Sequence, residues 1–202
     1  MKKIVVILAA SILAASAVGC ARLFPPRINL ERMGTIGLVE LATKAEGNIG
    51  SYATRIFLEV VLKSQPGARI KELGRESDLL REIGAGRLNQ DAIAAIRQRY
   101  GVDSLILGTL EISNVRPRVD VISIITTLSV SADIEALLSA RLLDLGDGTT
   151  AWAGSARGRE SVAQVSVLKG GAVIFDAQDP ERAYGPLVRD LVLRATRDFQ
   201  WR

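Results

Sequence analysis

The chain has 202 residues, a formal net charge of +4 and a quarter of its residues charged. It contains no histidine and one cysteine, Cys20. Without histidine, a Ser/His/Asp or Cys/His triad and a histidine zinc site are excluded, and a single cysteine excludes an internal disulfide framework.

Residues 1–20 set the address of the rest. Lys2 and Lys3 form a short positive start, followed by an uncharged apolar run from Ile4 to Val18. That run falls short of the roughly 20 residues of a stable membrane span and has the shape of a secretory signal. It ends on Ala17-Val18-Gly19-Cys20. Two cleavage readings fit. Ala15-Ser16-Ala17 is an A-x-A site for ordinary secretion, which leaves Cys20 as an unpaired thiol. The stretch also resembles the lipobox of bacterial lipoproteins, small or aliphatic residues before Gly-Cys, though Ala17 stands where leucine is commoner. That resemblance implies cleavage before Cys20, acylation of its sulfur and amino group, and a mature chain beginning at Cys20. Ala21 is not an aspartate, which in such lipoproteins implies the outer membrane, facing the periplasm. Several acyl chains hold firmly where one holds marginally.

Removing residues 1–19 leaves 183 residues and lowers the net charge from +4 to +2. That length suits one domain with a sizeable core. Apart from Arg157-Gly-Arg159, the arginines are interleaved with acids, so no basic patch for nucleic acid is expected. No catalytic, cofactor-binding or metal-ligating set is assigned.

Residues 20–34, with Pro25 and Pro26, read as a lipidated N-terminus and tether. Residues 35–202 read as one periplasmic domain. Thr35–Ala42 is a buried strand. Ile49, Ala53, Ile56, Phe57, Val60 and Val61 recur at helical spacing through Gln65, with Asn48 as cap and Pro66-Gly67 as stop. Ala68–Leu73 is a short strand. Ser77–Ile83 is a helical turn or two, and Gly84-Ala-Gly86 stops it rather than cradling phosphate, because the third glycine of a dinucleotide fingerprint is missing. Asn89 caps an amphipathic helix to Tyr100, closed by Gly101. Val102–Ser113 begins apolar on both faces and ends alternating, as a strand that leaves the middle of a sheet for its rim. Ala140–Asp144 and Thr150–Gly154 pair across a Gly146-Asp147-Gly148 turn. Asp179-Pro180-Glu181 starts a last helix, in which Val188, Leu191, Val192, Ala195 and Phe199 form one stripe; Gly185-Pro186 is either an interruption or the true start. The expected fold is α/β (α+β): one mixed sheet of about five strands, three helices and one or two β-hairpin extensions.

The ordered set resembles the periplasmic α/β domain shared by the curli-export lipoprotein, the TolB N-terminal domain and the lipoprotein activators of penicillin-binding proteins. Its carriers are Thr35–Leu41, Arg75–Glu82, Asn89–Tyr100 leading into Gly101–Gly108, and Ala140–Trp152. The resemblance implies a non-enzymatic envelope module that works through protein contacts, with a homo-oligomer as an option. In its curli-export branch, two hairpins per subunit build a membrane barrel. The matching segments here are Val115–Ile134 and Ser161–Phe175. A spanning strand needs about 9–11 alternating residues. Ile124-Ile125 and Thr126-Thr127 break the period in the first segment, and the arms of the second are short, so both also read as ordinary sheet extensions. An acid–base hydrolase would draw on Asp103, Asp144 and Glu160, which share no spacing motif.

Overall fold

The computed structural model describes residues 27–45, 47–113, 116–120, 129–162, 166–167, 173–174 and 180–200. Cys20 and the signal-like stretch lie outside them.

The sheet has seven strands: β1 (Thr35–Val39), β2 (Ala42–Thr43), β3 (Arg69–Gly74), β4 (Ser104–Ile112), β5 (Arg116–Asp120), β6 (Ser129–Asp144) and β7 (Thr150–Val162). The path runs β3-β1-β4-β6-β5, with β2 also on β4 and β7 also on β6. Strand β1 pairs in parallel with both β3 and β4, β2 pairs in parallel with β4, and β4, β5 and β7 run antiparallel to β6. The parallel half needs helical crossovers, whereas the antiparallel half needs only turns. A separate two-stranded piece joins β8 (Ser166–Val167) to β9 (Val173–Ile174). The single mixed sheet agrees with the sequence reading. Its extra strands are β2 and β5, too short to register as separate hydrophobic periods.

Four α-helices lie among the described residues: α1 (Ile49–Ser64), α2 (Glu76–Glu82), α3 (Gln90–Tyr100) and α4 (Pro180–Ala195). Asn89 caps α3 as expected, its side chain accepting from Ala92 N at 2.9 Å. Gly101 closes α3 in the left-handed region at φ 62°, where a Cβ would be strained. Asn48 makes no side-chain cap bond to α1. The last helix starts at Pro180 and continues through Pro186. It ends before Phe199, which belongs to a separate 3-10 turn, Arg197–Phe199, and still reaches the core. Ile28, Asn29 and Leu30 belong to no strand. Asn29 accepts from Glu31 N and opens a 3-10 turn over Leu30–Met33 instead, the local side-chain bonding that draws asparagine to helix starts.

One face of the sheet lies under α1 and α4. Ile36, Leu38, Ile106, Leu110, Leu138, Leu142 and Trp152 meet Phe57, Val61, Leu191 and Phe199 there in the larger of two buried clusters. Gly154 allows α4 to close on β7, because a Cβ at that position would collide with the Ala195 carbonyl and the Trp152 ring. Trp152 stacks on Phe199 at 4.4 Å between ring centroids, tilted by 44°, within the range of favourable aromatic pairs. The opposite face carries the smaller cluster, where Val39, Leu105, Leu107 and Leu143 sit under Leu79 of α2 and Ile96 of α3.

The expected hairpin forms. Leu142 pairs with Trp152 and Ala140 with Gly154. Asp144 Oδ1 accepts from Gly146 N at 2.7 Å in its turn. Asp147 Oδ1 accepts from both the N–H and the hydroxyl of Thr149, and these bonds hold its carboxyl below the ordinary value.

Candidate functional site

Two places on this fold carry functional interest: the point where the N-terminal segment enters it, and the part of the sheet that none of the described helices covers.

The entry point is tied by Gln65, the residue after α1, which is only 4% exposed. Its Oε1 accepts from Leu30 N at 2.7 Å. Its Nε2 donates to Ile28 O at 2.7 Å and to Phe199 O at 3.0 Å. An amide side chain offers two N–H donors and one carbonyl acceptor, and each is engaged here. Ile28 N also donates to Asp198 O at 3.3 Å. One buried amide therefore joins the entering chain, the end of α1 and the C-terminal 3-10 turn. Leu30 is fully buried beneath this knot. Sequence reasoning missed Gln65 because a glutamine before Pro-Gly reads as a helix end, and its partners are 35 and 134 residues away.

The uncovered region begins where α2 and α3 end. On β4, Leu105 and Leu107 belong to the smaller cluster, while Thr109 and Glu111 on the same face are exposed. The cross-strand partners follow: Thr109 faces Ser139, which faces Ser155, and Leu107 faces Arg141, which faces Ala153. Glu76, at the start of α2, helps these residues enclose a shallow cavity of about 520 Å³ with Gly108 and Gly154 in its floor. Its lining mixes the hydroxyls of Thr109, Ser139 and Ser155, the Arg141 guanidinium and the Glu76 carboxylate with Leu107, Ala140 and Ala153, so it offers both polar and apolar contacts. Farther along this face, Arg159 meets Glu135 across the strands at 3.9 Å, so the Arg157-Gly-Arg159 pair is opposed at one end.

The acids weighed for hydrolysis are not brought together. Asp103 Oδ2 accepts from Thr35 N at 2.8 Å, and Asp144 caps its hairpin turn. Both sit at one end of the sheet. Glu160 pairs opposite Ile134, ten residues back along β6 from Asp144. At about 3.3 Å per residue that is roughly 30 Å, several times the separation at which two carboxylates share a substrate. Among the described residues, no group of three or more His, Cys, Asp or Glu is placed to hold a metal ion.

Both segments matched to inserted hairpins contain paired strands. Arg116–Asp120 pairs with Ser129–Asp133, and Ser166–Val167 pairs with Val173–Ile174. Residues 121–128 and 168–172 lie outside the described residues, and with them the broken period at Ile124-Ile125 and Thr126-Thr127. No described helix is long and apolar enough to cross a membrane.

No protein-family model matches the chain, and no curated protein sequence does. Solved structures do resemble it. The PelC dodecamer from Paraburkholderia phytofirmans is 12% identical, over 90% of this chain and 94% of that one, with a TM-score of 0.48. Lipoprotein GNA1162 from Neisseria meningitidis is 16% identical over 63% of this chain and 83% of that one, at 0.38. The LpoB C-terminal domain from Salmonella enterica is 14% identical over 69% of this chain and 96% of that one, also at 0.38. Each TM-score is below one half, so the likeness does not extend to function.

Proposed function

We propose that this chain is a lipid-anchored interaction or assembly module of the bacterial cell envelope. In this reading Cys20 carries the lipid, the outer membrane holds it, and the domain faces the periplasm as an accessory or subunit of an export or envelope-assembly machine. The observation that carries it is Cys20 itself: the sole cysteine, placed after Ala17-Val18-Gly19 at the end of an uncharged run. Two features of the fold agree with that role. The N-terminal segment enters at an outer end of the domain, fixed by Gln65. A stretch of sheet surface is left uncovered by the described helices, where a partner could dock.

The test is the mass of the mature protein from its own membranes. An acylated N-terminal Cys20, with Cys20→Ser released from the membrane fraction, supports the anchor. An unmodified chain beginning at Val18 overturns it. Crosslinking in the intact envelope then identifies the partner.

A second reading, an oligomeric curli-type channel subunit, is favoured by the paired strands found in both candidate insertion segments. Its mass in detergent decides: a ring of many subunits supports it, and a monomer or dimer rejects it.

A further inference from the structure

The end where the N-terminal segment enters carries a group of exposed basic residues. Arg32, Lys63, Arg69 and Arg197 are all exposed there. Each sits a few residues along the chain from Leu30, Gln65 or Phe199, the members of the buried knot. Arg69 is further fixed by its pairing with Thr35, just past the Leu30–Met33 turn. None of the four has an ion-pair partner among the described residues. The nearby acids are largely engaged. Asp198 faces Arg27 at 3.7 Å and Asp103 accepts from Thr35 N, while the exposed Glu31 leaves one carboxylate in the same neighbourhood. Elsewhere Arg189 pairs with Glu59, Arg81 with Asp78, Arg99 with Glu82 and Arg194 with Asp190, while Arg87, Arg97, Arg141 and Arg157 are exposed cations of other surfaces.

Chain length adds the second constraint. Eight residues separate Cys20 from Ile28, and a fully extended chain spans at most about 3.6 Å per residue, so Ile28 lies within about 29 Å of the anchored sulfur. A domain on so short a tether presents its entry end to the bilayer more often than any other surface, and that end is cationic.

We propose that the surface around Arg32, Lys63, Arg69 and Arg197 is a headgroup-binding face that seats the domain on an anionic phospholipid leaflet. The proposal rests on the lipid-anchor reading for its orientation. Seating fixes which way the uncovered sheet face points. A tether alone would let the domain tumble, and a partner would meet that face in random orientations. Each basic residue near an anionic leaflet adds an increment of binding that fades within a Debye length, so the interaction is additive and salt-sensitive.

The test uses the mature chain from Cys20 without its lipid, which contains every residue described above. Binding is measured to vesicles of phosphatidylcholine alone and to vesicles that also contain phosphatidylglycerol. The expected result is binding to the anionic vesicles only, lost at high salt. Arg32→Gln, Lys63→Gln, Arg69→Gln and Arg197→Gln together should weaken it more than about tenfold. Neutralising Lys44, Arg87, Arg141 and Arg157 instead, an equal change in net charge, should leave most of it. Thermal melts confirm that both variants fold, and restoring charge with Arg32→Lys, Arg69→Lys and Arg197→Lys should retain binding. Equal weakening by both quadruple changes, or no preference for anionic vesicles, overturns the proposal. The acyl mass of the native protein is a separate measurement: an unacylated native chain that still binds the vesicles removes the anchor and keeps the surface.

Discussion

The two faces of the sheet are built from the same strands and treated differently. Under α1 and α4 the face is covered along the length of β4, from Ile106 to Leu110, and of β6, from Ile134 to Leu142. On the other face α2 and α3 protect Leu105, Leu107 and Leu143 and then stop. Beyond them Thr109, Ser139 and Ser155 face solvent. A helix of seven residues and one of eleven span about 10 and 16 Å at 1.5 Å per residue. Strand β6 alone, at 16 residues, runs on the order of 50 Å. The second layer is too short for the sheet it covers. The first face holds the fold together, and the second is available for contact.

The largest effect that tests this contrast belongs to the covered face. Phe57 is fully buried in the larger cluster, so Phe57→Ala should lower the unfolding free energy by about 3–5 kcal/mol. Chemical denaturation measures it. A loss under about 1 kcal/mol would mean that α1 does not carry the core as described.

Next comes the knot. Gln65→Leu preserves approximate size and removes both donors and the acceptor. Leu30 N and the carbonyls of Ile28 and Phe199 then lose their amide partner. A buried group left unsatisfied costs about 1–3 kcal/mol. Because the entry segment can peel away to find water, we expect a total of about 2–3 kcal/mol, together with faster proteolysis at residues 28–34. Proteolysis unchanged from the parent would show that the segment is held by Leu30 packing alone.

How much of this was legible in sequence follows the same division. Strand β4 reads correctly along its length: apolar on both sides at Leu105-Ile106-Leu107, alternating by Leu110-Glu111, and the structure puts the change where α2 and α3 run out. Helix α3 was legible from both ends because Asn89 and Gly101 carry their capping chemistry locally. Gln65 was not, since nothing near it in sequence announces three partners from distant segments. The uncovered face was only half legible. Alternation marks a polar side, but the length of the opposing helices is a tertiary fact. The turn at Leu30–Met33 has a local cause, the Asn29 side chain bonding to Glu31 N, chemistry that competes with strand pairing.

The smallest expected effect is the most informative about the contrast. Ser155 is exposed on the uncovered face, opposite Ser139 and at the rim of the cavity. In the isolated domain, Ser155→Gln changes a solvated position and should alter stability by no more than about 0.5 kcal/mol. In the envelope the same substitution places a longer side chain at the rim of the cavity and should reduce whatever crosslinks to this face, while the chain's amount and membrane attachment stay as they were. A large loss of stability in the isolated domain would place Ser155 in the core and dissolve the distinction between the faces. Unchanged crosslinking would keep the distinction and move the contact elsewhere, because a sheet surface that tolerates a longer side chain at Ser155 without consequence is one that faces only water.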